Sequence, residues 1–263
     1  MNQNNHEDKL NIKNASNNIQ EDVEIIKISR LRKTIAKKMI LSKTLIPDVT
    51  LITEVDVSNL VTLRQKIKKK ALEQGIKLTY MAFIAKSVVM ALQKFPLFNA
   101  SFDDEKDEII IKKTINLGIA IDTPKGLVVP NIKNAAQYTI IQLAQEIETL
   151  RKNTIEQKIK LDQIQKGTFT LSNFGSLDIL YGTPVINYPE LAILGIGKIV
   201  KKPIVKNNEI CIADILPFSL SIDHRIIDGA DGGRFLHFLT NLLTDTTILE
   251  HHIFQTSNDL EKN

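Results

Sequence analysis

A single cysteine in 263 residues leaves nothing for a disulfide to pair with inside the chain. Cys211 excludes an internal disulfide framework and any cysteine-based metal cluster. It points to a reducing, cytoplasmic setting and reads as a small buried hydrophobe. Long apolar runs are missing as well. No window approaches the length of a membrane span, and the start MNQNNHEDKL lacks the apolar core of a signal peptide, so no membrane partner is expected. Charge of one sign is scarce: 34 basic residues stand against 30 acidic ones. That excess is too mild for a nucleic-acid partner, yet it suits a basic site for a phosphorylated cofactor. No internal repeat is visible.

What remains is 43% hydrophobic and 24% charged, enough for a globular unit with a substantial core. Residues 1–29, rich in Asn, Gln, Lys and Glu and without aromatic side chains, cannot bury enough surface to order themselves. They read as a disordered tail or the remnant of a linker. Residues 30–263 read as one domain.

Its elements follow from periodicity. "ISRLRKTIAKKMILSKTLIPDVT" places Leu31, Ile35 and Met39 at helical spacing until Pro47 stops the run. "VTLITEVDV" alternates as a half-buried strand, and Asp56 or Ser58 can cap the next helix. That helix carries Leu60, Leu63, Ile67 and Ala71 on one stripe, with Arg64 in register with them. A helix is expected from about Thr79 to Phe95, ended by Pro96, then a charged hairpin at "FDDEKDE". "TINLGIAID", "LVVPNI", "GTFTLSNFGS" and "ILPFSLSIDHR" read as strands, and "DTPKG" as a turn. "TIIQLAQEIETLRKN" and "ADGGRFLHFLTNLL" read as helices. Helices and strands are mixed, with long helices between strands, so the class is α/β or α+β.

Chemistry concentrates in "SIDHRIIDGADGGRF". Alternation through Phe218, Leu220, Ile222 and His224 predicts an inward histidine, with Ser219, Ser221 and Asp223 on the opposite face. An imidazole held among hydrophobes stays neutral, the form a general base needs. A core histidine satisfied by a backbone carbonyl is the plain alternative. Asp228, at the turn into the last helix, is either an acidic anchor beside the site or a helix N-cap. An arginine on a buried stripe needs an anion, and a pairing of Arg64 with Asp228 is the expectation drawn from that, with Arg225 and Arg234 as the other candidates for Asp228.

"DHRIIDG" resembles the signature of the dihydrolipoamide acyltransferases, the core subunits of 2-oxo-acid dehydrogenase complexes. The likeness extends in order through "ISRLRKTIAKKM", "IPDVT", "FNASF", "INLGIAIDTPKGLVVP", "GTFTLSNFGS" and "NYPELAILGIGK". The resemblance implies a fold similar to chloramphenicol acetyltransferase and an acyl group, acetyl by preference, moved between a dihydrolipoyl group and coenzyme A. It implies His224 as the catalytic base and Ser172 as the oxyanion donor, with Asp228 beside them. Taken by itself, Ser172 is a polar strand-end residue, and Asn173 a turn residue. The resemblance assigns no residue to coenzyme A and no metal. It further implies a homotrimer, gathered into a cubic or dodecahedral core, whose active sites face His224 of one subunit with Ser172 of the next. Asp48 stands where the family commonly has histidine. No lipoyl or peripheral subunit-binding domain is visible, so the lipoyl group is expected from another domain or chain. A catalytically silent scaffold core and a stand-alone small-molecule acetyltransferase are the competing readings.

Overall fold

The structure is a computed structural model that describes residues 23–254. Residues 1–22 of the expected tail, and 255–263, lie outside the described residues. Residues 23–29 run as exposed chain without helix or strand. The first element among the described residues is α1 (Arg30–Leu45), where the Ser29 hydroxyl accepts from the Arg32 amide, and Ile46 alone separates the helix from Pro47. Then come β1 (Asp48–Asp56), α2 (Ser58–Glu73) and α3 (Tyr80–Lys94). Asp56 does the capping work at α2 from just outside the helix. Its Oδ1 accepts from the Ser58 amide at 3.0 Å and from the Ser58 hydroxyl at 2.6 Å, while Val57 holds the cap position itself. Pro96 ends α3, as the sequence predicts, by opening a 3-10 turn.

A two-stranded hairpin, β2 (Ala100–Asp103) and β3 (Glu108–Ile111), stands apart from the main sheet. The rest of the chain supplies β4 (Leu117–Ile119), β5 (Asn131–Ile132), α4 (Ile140–Ile155), α5 (Leu161–Ile164), β6 (Phe169–Asn173), β7 (Ala192–Ile196), β8 (Val200–Lys206), β9 (Glu209–Asp223), α6 (Gly229–Thr244) and α7 (Thr247–His251). The sheet runs β1-β9-β7-β6-β4-β5, with β8 paired to the outer part of β9. The β4, β6 and β7 neighbours are parallel and the other pairs antiparallel, which makes the sheet mixed. β4 and β5 are shorter than their apolar runs suggest, because Pro130 has no N–H to give the ladder.

Over the sheet, α3 packs on α4 and α6, α2 on α6 and β9, and α6 on β1 and β9. This layer encloses the main core, in which Phe218, Leu220 and Ile222 are buried against Phe235 and Leu239. Alternate residues of β7 face opposite ways: Leu194 joins the main core, while Ile193 meets Ile46 and Ile186 in a smaller cluster on the other face. That second cluster corrects one expectation. Ser219, Ser221 and Asp223 are fully buried, not outward, because β9 is an interior strand covered on both faces. The Ser221 hydroxyl lies 2.8 Å from that of Thr50. Cys211 is half-buried. One charge sits deep in the helical layer: Lys86 of α3 donates to the Tyr138 carbonyl at 2.9 Å, and burial pushes its ammonium down to about 8. No helix among the described residues is long and apolar enough to cross a membrane.

Candidate active site

The strand that leads to His224 ends one residue before it. Asp223 is the last residue of β9, and its amide donates to Leu191 O at 2.8 Å. The chain then turns, closed by the Ile226 and Ile227 amides onto Asp223 O at 3.1 and 2.9 Å, and the His224 amide donates to Pro47 O at 3.2 Å. The turn swings the imidazole out of the strand's alternation. His224 is exposed, not inward as predicted, and the burial on which the desolvated reading rested is absent in the single chain. Beside it, Asp48 and Asp223 are cross-strand partners, each held by a cation: Lys43 lies 2.7 Å from Asp48, and Arg225 lies 2.7 Å from Asp223.

Asp228 is exposed at the N-cap position of α6, where it makes no side-chain cap bond. The expected pairing with Arg64 does not form. Arg64 Nε donates instead to the Leu78 carbonyl at 3.0 Å, and its guanidinium stacks over Tyr80 at 4.5 Å, so a carbonyl and an aromatic face replace the carboxylate. Arg225 and Arg234 are also committed elsewhere, to Asp223 with Asp104 and to Asp231.

Ser172 is half-buried near the end of β6, its Cα partner across the ladder being Gly195. Asn173 behaves as the turn residue expected, its carbonyl accepting from Ser176 Oγ at 3.2 Å. The adjoining backbone is crowded: a Cβ on Gly195 would fall 2.5 Å from the Phe174 ring. Gly195 pairs in turn with Ser219, which puts Ser172 level with a position five residues before His224. Four strand steps from Ser219 to Asp223 extend about 14 Å and two strand spacings add about 10 Å sideways, so His224, in the turn beyond, lies roughly 15 Å or more from Ser172. They sit at opposite ends of one sheet.

Sequence reasoning missed Glu190, whose one signal is its place in "NYPELAILGIGK". Its buried carboxyl accepts from the Thr170 hydroxyl at 2.6 Å and from the Asn187 amide at 2.7 Å, and burial pushes it up to about 7. It lines a cavity of about 800 Å³ with Lys38, Lys112, Lys113 and Lys166. A second cavity, about 400 Å³, lies under Ile35 and Met39 of α1. Neither includes Ser172 or His224.

The family model described as 2-oxoacid dehydrogenases acyltransferase (catalytic domain) matches residues 20–250. The chain belongs to this family. The dihydrolipoyllysine-residue acetyltransferase component of the pyruvate dehydrogenase complex of Acholeplasma laidlawii is 57% identical over 235 residues, covering 89% of this chain and 43% of that protein. The chain spans about half the length of the curated relatives it matches. A solved structure of Azotobacter vinelandii dihydrolipoamide acetyltransferase, from work on the role of a serine, a histidine and an asparagine in its catalytic mechanism, superposes with a TM-score of 0.85 at 34% identity, over 87% of this chain and 94% of that one. The cubic core of the pyruvate dehydrogenase multienzyme complex matches with the same score, identity and coverage. The mixed sheet with its helical layer is thus the fold of these acetyltransferase cores.

Proposed function

We propose that this chain is the catalytic part of an acetyltransferase that moves an acetyl group between coenzyme A and the dihydrolipoyl group of a lipoyl domain, at a site shared by two subunits. The observation that carries it is the separation of Ser172 and His224. A base and an oxyanion donor must both stand about 3 Å from the reacting atoms, and roughly 15 Å or more separates them within one chain. Facing subunits bring them together, and a closed trimer provides such a contact three times. Assembly of trimers into a cubic core, as in the pyruvate dehydrogenase structure it matches, extends the same reading. The spacing of the three residues in the Azotobacter enzyme supports the assignment: 52 and 4 positions, as between Ser172 and His224 and between His224 and Asp228. The third residue is an asparagine there and an aspartate here, so the two chains differ in charge at that position.

His224 removes the proton from the attacking thiol, which is only a few per cent ionised near neutrality. The thiolate adds to the acyl thioester, and the Ser172 hydroxyl donates to the oxyanion, worth about 3 kcal/mol. His224 returns the proton to the departing thiolate. The direct test is acetyl transfer from acetyl-CoA to free dihydrolipoamide. His224→Ala lowers the rate by about 10² to 10⁴ in a folded, assembled protein. Ser172→Ala lowers kcat far more than it raises KM, because the donor acts in the transition state. Near-full activity of His224→Ala overturns the assignment.

A further inference from the structure

Asp223 is fully buried, and among the described residues every hydrogen bond to its carboxylate comes from Arg225. The Arg225 amide donates to Oδ1 at 3.1 Å, Nε to the same oxygen at 3.0 Å, and an Nη to Oδ2 at 2.7 Å. These bonds close over His224, the residue between them. The guanidinium continues outward to Asp104, just past the end of β2, and lies over the Phe102 ring at 5.2 Å. The turn that carries His224 is therefore held from three directions: by Pro47 O, just ahead of β1, on the His224 amide; by the Asp223 carbonyl on the Ile226 and Ile227 amides; and by the β2–β3 hairpin through Arg225. The imidazole itself has no hydrogen bond among the described residues, so what places the ring is the backbone that aims its Cα–Cβ bond.

We infer that Arg225 is a positioning residue for the acyl transfer, a clamp between Asp223 and Asp104 that fixes where the His224 ring points. The guanidinium meets two carboxylates and an aromatic face in different directions, which a lysine's single ammonium cannot do. Without it, Asp223 is a buried, uncompensated charge that draws the turn toward solvent and carries His224 with it. The role rests on the reading of His224 as the base.

Two readouts on the assembled chain separate the ideas. In the dihydrolipoamide assay, Arg225→Met lowers kcat about 10- to 100-fold with KM nearly unchanged, the cost of misplacing a reacting group by about 1 Å. Arg225→Lys recovers part of the loss, and adding Asp223→Asn to Arg225→Met costs little more, because one interaction is removed twice. Independently of activity, the rate at which diethyl pyrocarbonate modifies His224, followed on its peptide by mass spectrometry, changes several-fold in Arg225→Met. Should Arg225→Met not assemble, Asp104→Asn removes the outer arm only and shows the same two changes to a smaller degree. A folded variant with unaltered kcat and unaltered labelling overturns the clamp. Activity surviving in His224→Ala instead removes the base, and a labelling rate that still responds to Arg225 leaves the clamp standing.

Discussion

A carboxyl sealed between Thr170 and Asn187 makes stability depend on pH in a direction opposite to most acids. Glu190 holds its proton to about pH 7 in the folded chain, whereas an ordinary glutamate loses it near 4.5. Below 4.5 both states are protonated and nothing is lost. Between 4.5 and 7 the unfolded chain releases its proton first, so stability falls as pH rises, by up to about 3 kcal/mol across that window. Glu190→Gln keeps an acceptor for Asn187 and can donate to the Thr170 hydroxyl, without a charge to bury. Denaturant unfolding at about pH 5 and pH 8 tests this: the variant is the more stable protein at pH 8, and its stability differs less between the two. A pH dependence equal to that of the unsubstituted chain would assign the titration elsewhere.

Among the elements, the ends of β6 and β7 meet with no room for a side chain. A Cβ on Gly197 would stand 2.0 Å from the Leu180 carbonyl oxygen, and one on Gly175 would stand 2.3 Å from the Gly197 carbonyl oxygen. Both obstacles are backbone, which cannot step aside as a side-chain tip can. Gly197→Ala therefore destabilises by about 2–4 kcal/mol and displaces the loop beside Ser172. Thermal unfolding measures the first effect, and a lowered kcat the second; an unchanged Tm would mean the loop moves freely. These glycines sit inside motifs legible in the sequence, but their reason is contact between segments distant along the chain. The same divide runs through the fold. The amphipathic helices and the stops at Pro47 and Pro96 were readable because their signals are local. The hydroxyl face of β9 was misread because polar residues at alternate positions look the same whether they meet water or a second layer. β7 and β8 drew no strand assignment at all. Periodicity named His224 but aimed it inward, since alternation has no force once a strand has ended. Arg64 was rightly placed on its stripe, yet a carbonyl and a ring served it as well as a carboxylate.

At the scale of the whole molecule, the proposed site gives each chain two half-sites, neither complete without a neighbouring subunit. The proposed trimer predicts sedimentation as three subunits or a multiple of three, and activity lost in parallel with dissociation on dilution; an active monomer would contradict it. The placement of Ser172 and His224 at opposite ends of the sheet has a consequence for inheritance of activity in mixtures. Two dead proteins, one carrying Ser172→Ala and the other His224→Ala, each spoil a different side of every contact. When they are unfolded and reassembled together in equal amounts, about one interface in four receives its serine from one parent and its histidine from the other, both intact. Roughly a quarter of full activity returns from components that have none, a complementation that no active site confined to a single chain can produce.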